Sequence, residues 1–233
     1  MGKRIITQAR GKGGFAYRVR RNAYKYKIAY PRSLSEQEAT VISLVNSTAH
    51  TAPLAKIRAK EGDFYIPAFK GMIEKQKIKV LGKEIKDGNI LKLKDIPIKT
   101  RVYNLESRPN DGGKFIKTAG SYATVGRATE TGIVLIMPSK KEKEFLGECR
   151  ATIGVIAGSG RLDKPAVKAG KMFYIKKSRN KLWPRTSAVK MNVIDHPFGS
   201  GRGKRIKSKI AKRNAPPGRR VGHLRPRRTG KRR

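Results

Sequence analysis

The stretch ATVISLVNSTAHTAPLAKIRAKEGDFYI (39–66) sets the fold class. β-Branched residues crowd 39–46, while Leu54, Ile57 and the group Phe64-Tyr65-Ile66 stand either side of a Glu61-Gly62-Asp63 turn, which reads as a hairpin. Outward from it, strands are predicted at 77–81 and, after Asp87-Gly88-Asn89, at 90–93, with Pro97 closing the unit. A second unit begins near Lys99. Thr100, Val102 and Asn104 alternate there with Arg101, Tyr103 and Leu105, Asn110-Asp111-Gly112-Gly113 supplies turn chemistry, and strands follow at 122–128, 132–137, 145–149 and 151–156. Only 33–40 invites a helix, capped by Ser33 or Ser35, and it is too short to stand by itself. Short strands without intervening helical periodicity indicate small barrels or sandwiches, and two fit within 233 residues. From Gly158 onward Gly, Lys and Arg dominate, so a loop-rich surface passing into a tail is expected.

Charge is distributed unevenly. The chain carries 56 Lys and Arg against 16 Asp and Glu, for a net charge of +40. All 16 carboxylates lie between Glu36 and Asp195; residues 1–32 hold ten cations and residues 196–233 hold fifteen, with no acid in either. Like charges repel, and scattered apolar residues offer little to offset chain entropy, so each tail is expected to be disordered in isolation. A polyanion with about one charge per 1.7 Å neutralises such tails and releases its own counterions, which points to nucleic acid. An acidic membrane is the competing polyanion. Residues 199–220 place Gly and Pro where an amphipathic helix needs good formers, and no stretch approaches the roughly 18 apolar residues of a membrane span. The opening MGKRIITQARGKGG has no apolar run of signal-peptide length, so the cytosol is the expected compartment.

Catalytic and metal chemistry find little support. His50, His196 and His223 lie far apart without partners at metal-ligand spacing, and the single Cys149 suits a small buried apolar position, so neither metal nor cofactor is expected. The run Gly199-Ser200-Gly201-Arg202-Gly203-Lys204 fails as a nucleotide loop, because Phe198 stands where the first glycine belongs and Arg205 follows the lysine. Glycine still admits phosphate close to the backbone, so Gly11–Gly14 and the 199–203 run are either flexible spacers or phosphate contacts; neighbouring Arg10, Lys12, Arg202, Lys204 and Arg205 favour contact. Aromatics interleave with cations at Phe15-Ala16-Tyr17-Arg18, at Tyr24-Lys25-Tyr26-Lys27 and around Trp183. Two roles are open to these rings, stacking on unpaired bases or packing on the protein itself.

From Gly113 to Gly201 the strings TAGSYATV (118–125), CRATIGV (149–155), KAGK (168–171), WPRTSAVKMN (183–192) and DHPFGSG (195–201) occur in order. They closely resemble the universal large-subunit ribosomal protein of the L-two family, and the opening GKRIITQARGKG and closing PPGRRVGHLRPRRTGKRR resemble its archaeal and eukaryotic branch. The resemblance covers nearly the whole chain. It implies a mostly β fold, an oligonucleotide-binding-type barrel followed by an SH3-like barrel, with long basic irregular extensions threading into rRNA. Boundaries on that basis are 1–34 for the N-terminal extension, 35–98 and 99–185 for the barrels, and 186–233 for the C-terminal extension. The implied role is structural and non-enzymatic, in the cytoplasmic ribosome: rRNA binding, assembly of the peptidyl-transferase region, subunit association and tRNA placement. Expected partners are large-subunit rRNA, other large-subunit proteins, the small subunit at the interface and nearby tRNA.

Residues expected at rRNA are Arg4, Arg10, Lys12, Arg18, Arg20 and Arg21 in the first arm, and Lys114, Arg150, Lys168, Lys171, Arg185 and Lys190 in the body. His196, Arg202, Lys204, Arg205, Arg219, Arg220, Arg227 and Arg228 complete the set. His196 matches the family's DHP loop and is read as structural and RNA-contacting, without a catalytic role. The chain departs from the family pattern at Ser187-Ala188 for Arg-Gly, Lys190 for a small residue, Val193 for proline and Ser200 for glycine. The missing arginine puts one RNA contact in doubt, for which Arg185 or Lys190 can substitute. Two other classes fit parts of the chain. A DNA-packaging protein would share the tails; an RNA-modifying enzyme would need an acid–base constellation where acids are scarce.

Overall fold

Alternation of buried and exposed residues builds the strands. In β1 (Gln37–Val45) Gln37, Ala39 and Val41 point inward while Glu38 and Thr40 point out, and β4 (Lys77–Val80) repeats the pattern with Ile78 and Val80. The computed structural model describes residues 2–19, 21–201 and 210–224. They gather into two compact units, one of Arg21–Pro165 and one made from Met1–Arg20 together with Ala166–Arg233.

The Arg21–Pro165 unit is β. Besides β1 and β4 it contains β2 (Leu54–Ala59), β3 (Gly62–Pro67), β5 (Ile90–Lys92), β6 (Arg101–Tyr103), β7 (Ala123–Ala128), β8 (Ile133–Ile136), β9 (Glu142–Phe145) and β10 (Arg150–Ile153). The sheet order is β3-β2-β1-β4-β5-β10-β6-β7-β8-β9, antiparallel throughout except for the β4–β5 pair. Register shifts in β1 and β7 mark bulges, which bend a sheet toward closure. Two cores result. One gathers Val41, Ile57, Ile66, Ile78, Val80, Ile90 and Tyr103; the other gathers Leu91, Leu93, Val102, Leu105, Val125, Leu135, Ala151 and Ile153. Neighbours on one strand thus serve different cores: Ile90 and Leu91 on β5, Tyr103 and Val102 on β6. This mostly β arrangement is that of an oligonucleotide-binding-type barrel followed by an SH3-like barrel.

A buried ion pair joins segments distant in sequence. Arg150 Nη2 and Nε donate to Glu106 Oε1 at 2.6 and 3.0 Å. The Arg150 amide donates to Oε2 at 2.8 Å and the Gly112 amide to Oε1 at 3.1 Å. Arg150 Nη1 reaches the Pro31 carbonyl at 2.9 Å, and its guanidinium lies 5.5 Å from the centre of the Tyr30 ring. The two side chains are 3% and 0% exposed. Arg150 is therefore withdrawn from the expected RNA contacts, since its donors face the interior and leave no phosphate access. Beside Gly112, Gly113 takes φ +87°, and a Cβ there would fall 2.7 Å from Asn104 Oδ1.

Three further expectations are corrected. The region 33–40 is not helical, because Gln37 onward joins the sheet. The strand expected at 145–149 lies earlier, at Glu142–Phe145; its charged residues suit the outermost strand, where charge discourages pairing with another chain. The loop-rich surface expected beyond Gly158 contains a helix, Ala169–Ser178. Cys149 is fully buried as expected, and burial pushes its thiol up to about 11. No described helix is long and apolar enough to cross a membrane.

Removing one member of a buried pair strands the other charge, at a cost of about 3–5 kcal/mol. Glu106→Ala should lower the urea-unfolding stability of the full chain by about that amount, and Glu106→Ala/Arg150→Ala by clearly less than the two single losses added. Additive losses would show that the two residues act independently.

Candidate nucleic-acid interface

The second unit is almost devoid of acid. It contains 29 Lys and Arg and one carboxylate, Asp195, which lies 3.6 Å from Lys3 Nζ. Sequence reasoning expected the tails to lack structure of their own, yet their described residues make specific contacts. The short helix α1 (Ile6–Ala9) follows Ile5, which is buried and donates its amide to Gln8 Oε1 at 3.0 Å. The Lys3 amide donates to the Ile194 carbonyl at 2.8 Å, and the Gln8 side chain lies against Gly218, whose φ of +85° suits glycine. Ile210–Ala211 and His223–Leu224 form a two-stranded parallel ladder.

Helix α2 (Ala169–Ser178) ends by a definite mechanism. Asn180 takes φ +55°, its amide donates to the Lys177 carbonyl, and the Lys181 amide donates to the Lys176 carbonyl. This paired 5→2 and 6→1 pattern is the Schellman termination, with asparagine in place of glycine. Lys176 and Lys177 lie in the last turn, where the helix dipole favours cations. The expected contacts Lys168 and Lys171 fall just before and on this exposed helix.

The loop around His196 is held by its backbone. The Asp195 and His196 amides both donate to the Asn192 carbonyl, Gly199 donates to His196, and Ser200 to Met191. A side chain at Gly199 would collide with the Asn192 carbonyl at 2.3 Å. His196 Nδ1 accepts from the Phe198 amide at 3.1 Å, leaving Nε2 as the ring's donor, and the two rings lie 5.1 Å apart. Burial lowers the His196 pKa below its ordinary value, which favours the neutral ring this geometry requires. Val193 and Ser200, where the resemblance leads one to expect proline and glycine, meet here. Ser200 occupies a left-handed conformation, φ +57°, and its Oγ accepts the Val193 amide at 3.2 Å. A proline at 193 would have no proton to give and a glycine at 200 no oxygen to receive it, so this hydrogen bond needs the residues the chain has at both positions.

Several expected residues share cavities. Arg4, Arg185, Lys190 and His196 line one of about 560 Å³ together with Lys3 and Asp195. Arg10 and Arg185 line another of about 260 Å³ with Tyr17, Lys176, Lys181 and Trp183. Arg4 and Arg219 meet in a third, of about 540 Å³. Arg219 also borders a cavity of about 410 Å³ beside Pro197 and Phe198. Lys12 is exposed nearby in sequence, whereas Arg18 donates to the Gly13 carbonyl and covers Phe15, and Arg220 donates to the Ala215 carbonyl. Arg21 and Lys114 are exposed on the β unit. Arg20, Arg202, Lys204, Arg205, Arg227 and Arg228 lie outside the described residues. Lys3, Lys176 and Lys181 were missed by sequence reasoning; membership in an acid-poor stretch was the only signal they carried.

The rings fall into two groups. Tyr26 pairs with Tyr65 at 5.0 Å and Tyr24 meets His50 edge-on at 5.5 Å, so both pack on the β unit. Tyr17 and Trp183 instead border the 260 Å³ cavity. Among the described residues no group of three or more His, Cys, Asp or Glu can hold a metal ion.

The coupling between positions 193 and 200 can be measured by amide exchange at Gly199 in the full chain bound to an rRNA fragment. Val193→Pro and Ser200→Gly should each lower the opening free energy by up to about 1 kcal/mol, and the double variant should lose no more than either alone. Additive losses would show that the Val193–Ser200 hydrogen bond contributes nothing.

Residues 86–218 match the family model described as Ribosomal Proteins L2, C-terminal domain. The chain is 43% identical over 237 residues to large ribosomal subunit protein uL2 of Methanococcoides burtonii and 44% identical over 237 residues to that of Archaeoglobus fulgidus, with 100% of both chains covered in each case. It is 42% identical to uL2 of Hyperthermus butylicus, covering 100% of this chain and 99% of the other. With a model matching more than half of the chain and relatives matching it from end to end, this chain belongs to the family of large ribosomal subunit protein uL2, in its archaeal form.

Proposed function

We propose that the protein binds large-subunit rRNA through its acid-poor unit and thereby supports assembly of the peptidyl-transferase region, subunit association and tRNA placement. Family membership makes it a structural constituent of the large ribosomal subunit, in the cytoplasm, and not an enzyme. One observation carries the rRNA reading: 29 cations share a unit with one carboxylate, and that carboxylate is paired internally with Lys3. Such a surface suits phosphate and repels other cationic surfaces.

In this reading the chain carries a first barrel over 35–98 and a second over 99–185; the presence of two cores supports two barrels, although Leu91 and Leu93 pack in the second core and Tyr103 in the first. Arg4, Arg185, Lys190 and Arg219 supply phosphate contacts around the His196 loop. With Nδ1 already accepting from Phe198, and the one carboxylate of its cavity, Asp195, beside Lys3, His196 has a shaping and RNA-contacting role in this reading. In the same reading the protein lies at the interface with the small subunit and near tRNA.

Binding to an rRNA fragment should weaken steeply with salt. On the order of ten neutralised phosphates would give a log–log slope near −7 to −9. Deleting residues 196–233, which carry fifteen cations, should flatten that slope by several units. A truncated chain with the full slope would exclude this segment as a major phosphate-binding element.

A further inference from the structure

The cavity of about 260 Å³ in the acid-poor unit has a composition unlike the others. It is lined from one side by Ile6, Thr7, Arg10 and Tyr17, and from the other by Lys176, Lys181, Leu182, Trp183 and Arg185. Two aromatic rings, two aliphatic side chains and four cations converge there without a carboxylate. Other exposed rings of this unit are already in use: Arg18 covers Phe15, and Lys177 covers Phe173, which also meets Tyr174. Among the described residues Tyr17 and Trp183 have no such ring or cation partner. The volume lies just below the roughly 300–1,000 Å³ of pockets for drug-sized molecules, so it suits one planar group and not a helix or a duplex.

We infer that this cavity receives a single unstacked nucleotide of single-stranded RNA, its base against the Trp183 indole and its flanking phosphates on Arg10, Lys181 and Arg185. The inference rests on the rRNA-binding reading above and names one site within it. Chemistry selects the occupant. Aromatic faces attract the π-surface of any base, cations attract its phosphates, and an acidic peptide would satisfy the cations while leaving the rings without a stacking partner. The Schellman turn at Asn180 fixes the chain between Lys176 and Lys181, so these two lining residues come from a defined backbone.

Trp183 is the chain's single tryptophan, so its emission reports on this cavity alone. The full chain is titrated with a labelled single-stranded RNA ten nucleotides long, following label anisotropy and tryptophan emission together. Emission should be quenched in parallel with binding. Trp183→Ala should weaken affinity on the order of tenfold to a hundredfold with the salt slope unchanged, and Trp183→Phe should restore most of the loss. RNA binding with unchanged emission, or equal quenching by duplex RNA or by polyglutamate, would overturn the inference and leave the rRNA reading intact. Absence of RNA binding by anisotropy at low salt would overturn both.

Discussion

Negative charge is the scarce component of this protein, and its placement constrains everything else. Fifteen of the sixteen carboxylates belong to the β unit and one to the remainder. Within the β unit they act locally. Lys56 and Arg58 converge on Asp63, Lys92 and Lys94 on Glu148, and Ser35 and Gln37 on Glu61. The hydrogen bonds and cations around Glu61 and Glu148 hold each carboxyl at about 2, so both remain ionised well into the acid range. Glu106 is the extreme case, fully buried and shared between Arg150 and backbone amides of the 110–112 turn. A buried pair of this kind contributes little net stability relative to an apolar replacement, but it fixes which segments meet. Here it brings Pro31, the turn after β6 and the start of β10 to one point.

The acid-poor unit has no comparable resource. Its described residues are held by backbone hydrogen bonds, by glycines admitting close approach and by the Lys3–Asp195 contact. Cations accumulate there with a single carboxylate to offset them, and the free energy of their repulsion is available to whatever polyanion relieves it. This couples the two halves of the proposed function. The features that leave the unit few internal contacts, namely few carboxylates and few apolar pairs, also suit it to the rRNA binding proposed above. The His196 loop illustrates the design, since its shape comes from main-chain bonds and its ring is oriented by a neighbouring amide, so no acidic side chain is needed to position it.

How far the sequence revealed this depended on the kind of signal each element carried. Most of the strands were legible because β-branched density at 39–46 and alternation from Thr100 to Leu105 report on half-buried sheet. The strand at Glu142–Phe145 was hidden by its charges, which belong to an edge and read as a turn. Helix α2 was hidden because Met172, Phe173, Tyr174 and Ile175 form a contiguous run and not a periodic face, with Gly170 in the first turn; Asn180 was its best available marker. Individual phosphate-contacting candidates were legible from local composition. Their grouping was not: Arg4 and Arg10 reach Arg185 and His196 only through contacts between segments about 180 residues apart, and no local pattern encodes that. Arg150 failed for the converse reason, because its carboxylate partner is 44 positions away and its carbonyl partner 119, and an arginine's burial leaves no trace in its neighbours.

The central claim, that the acid-poor unit takes its full order only when phosphate neutralises it, is tested most directly by amide hydrogen exchange on the full chain, free and bound to a large-subunit rRNA fragment. The account predicts that the Lys3, Lys181 and Gly199 amides, each bonded within that unit, exchange readily in the free chain at moderate salt and become strongly protected with RNA. Amides of the β unit such as Gly88 and Ile153 should be equally protected in both states. Equal protection of Lys3, Lys181 and Gly199 in the free chain would contradict it.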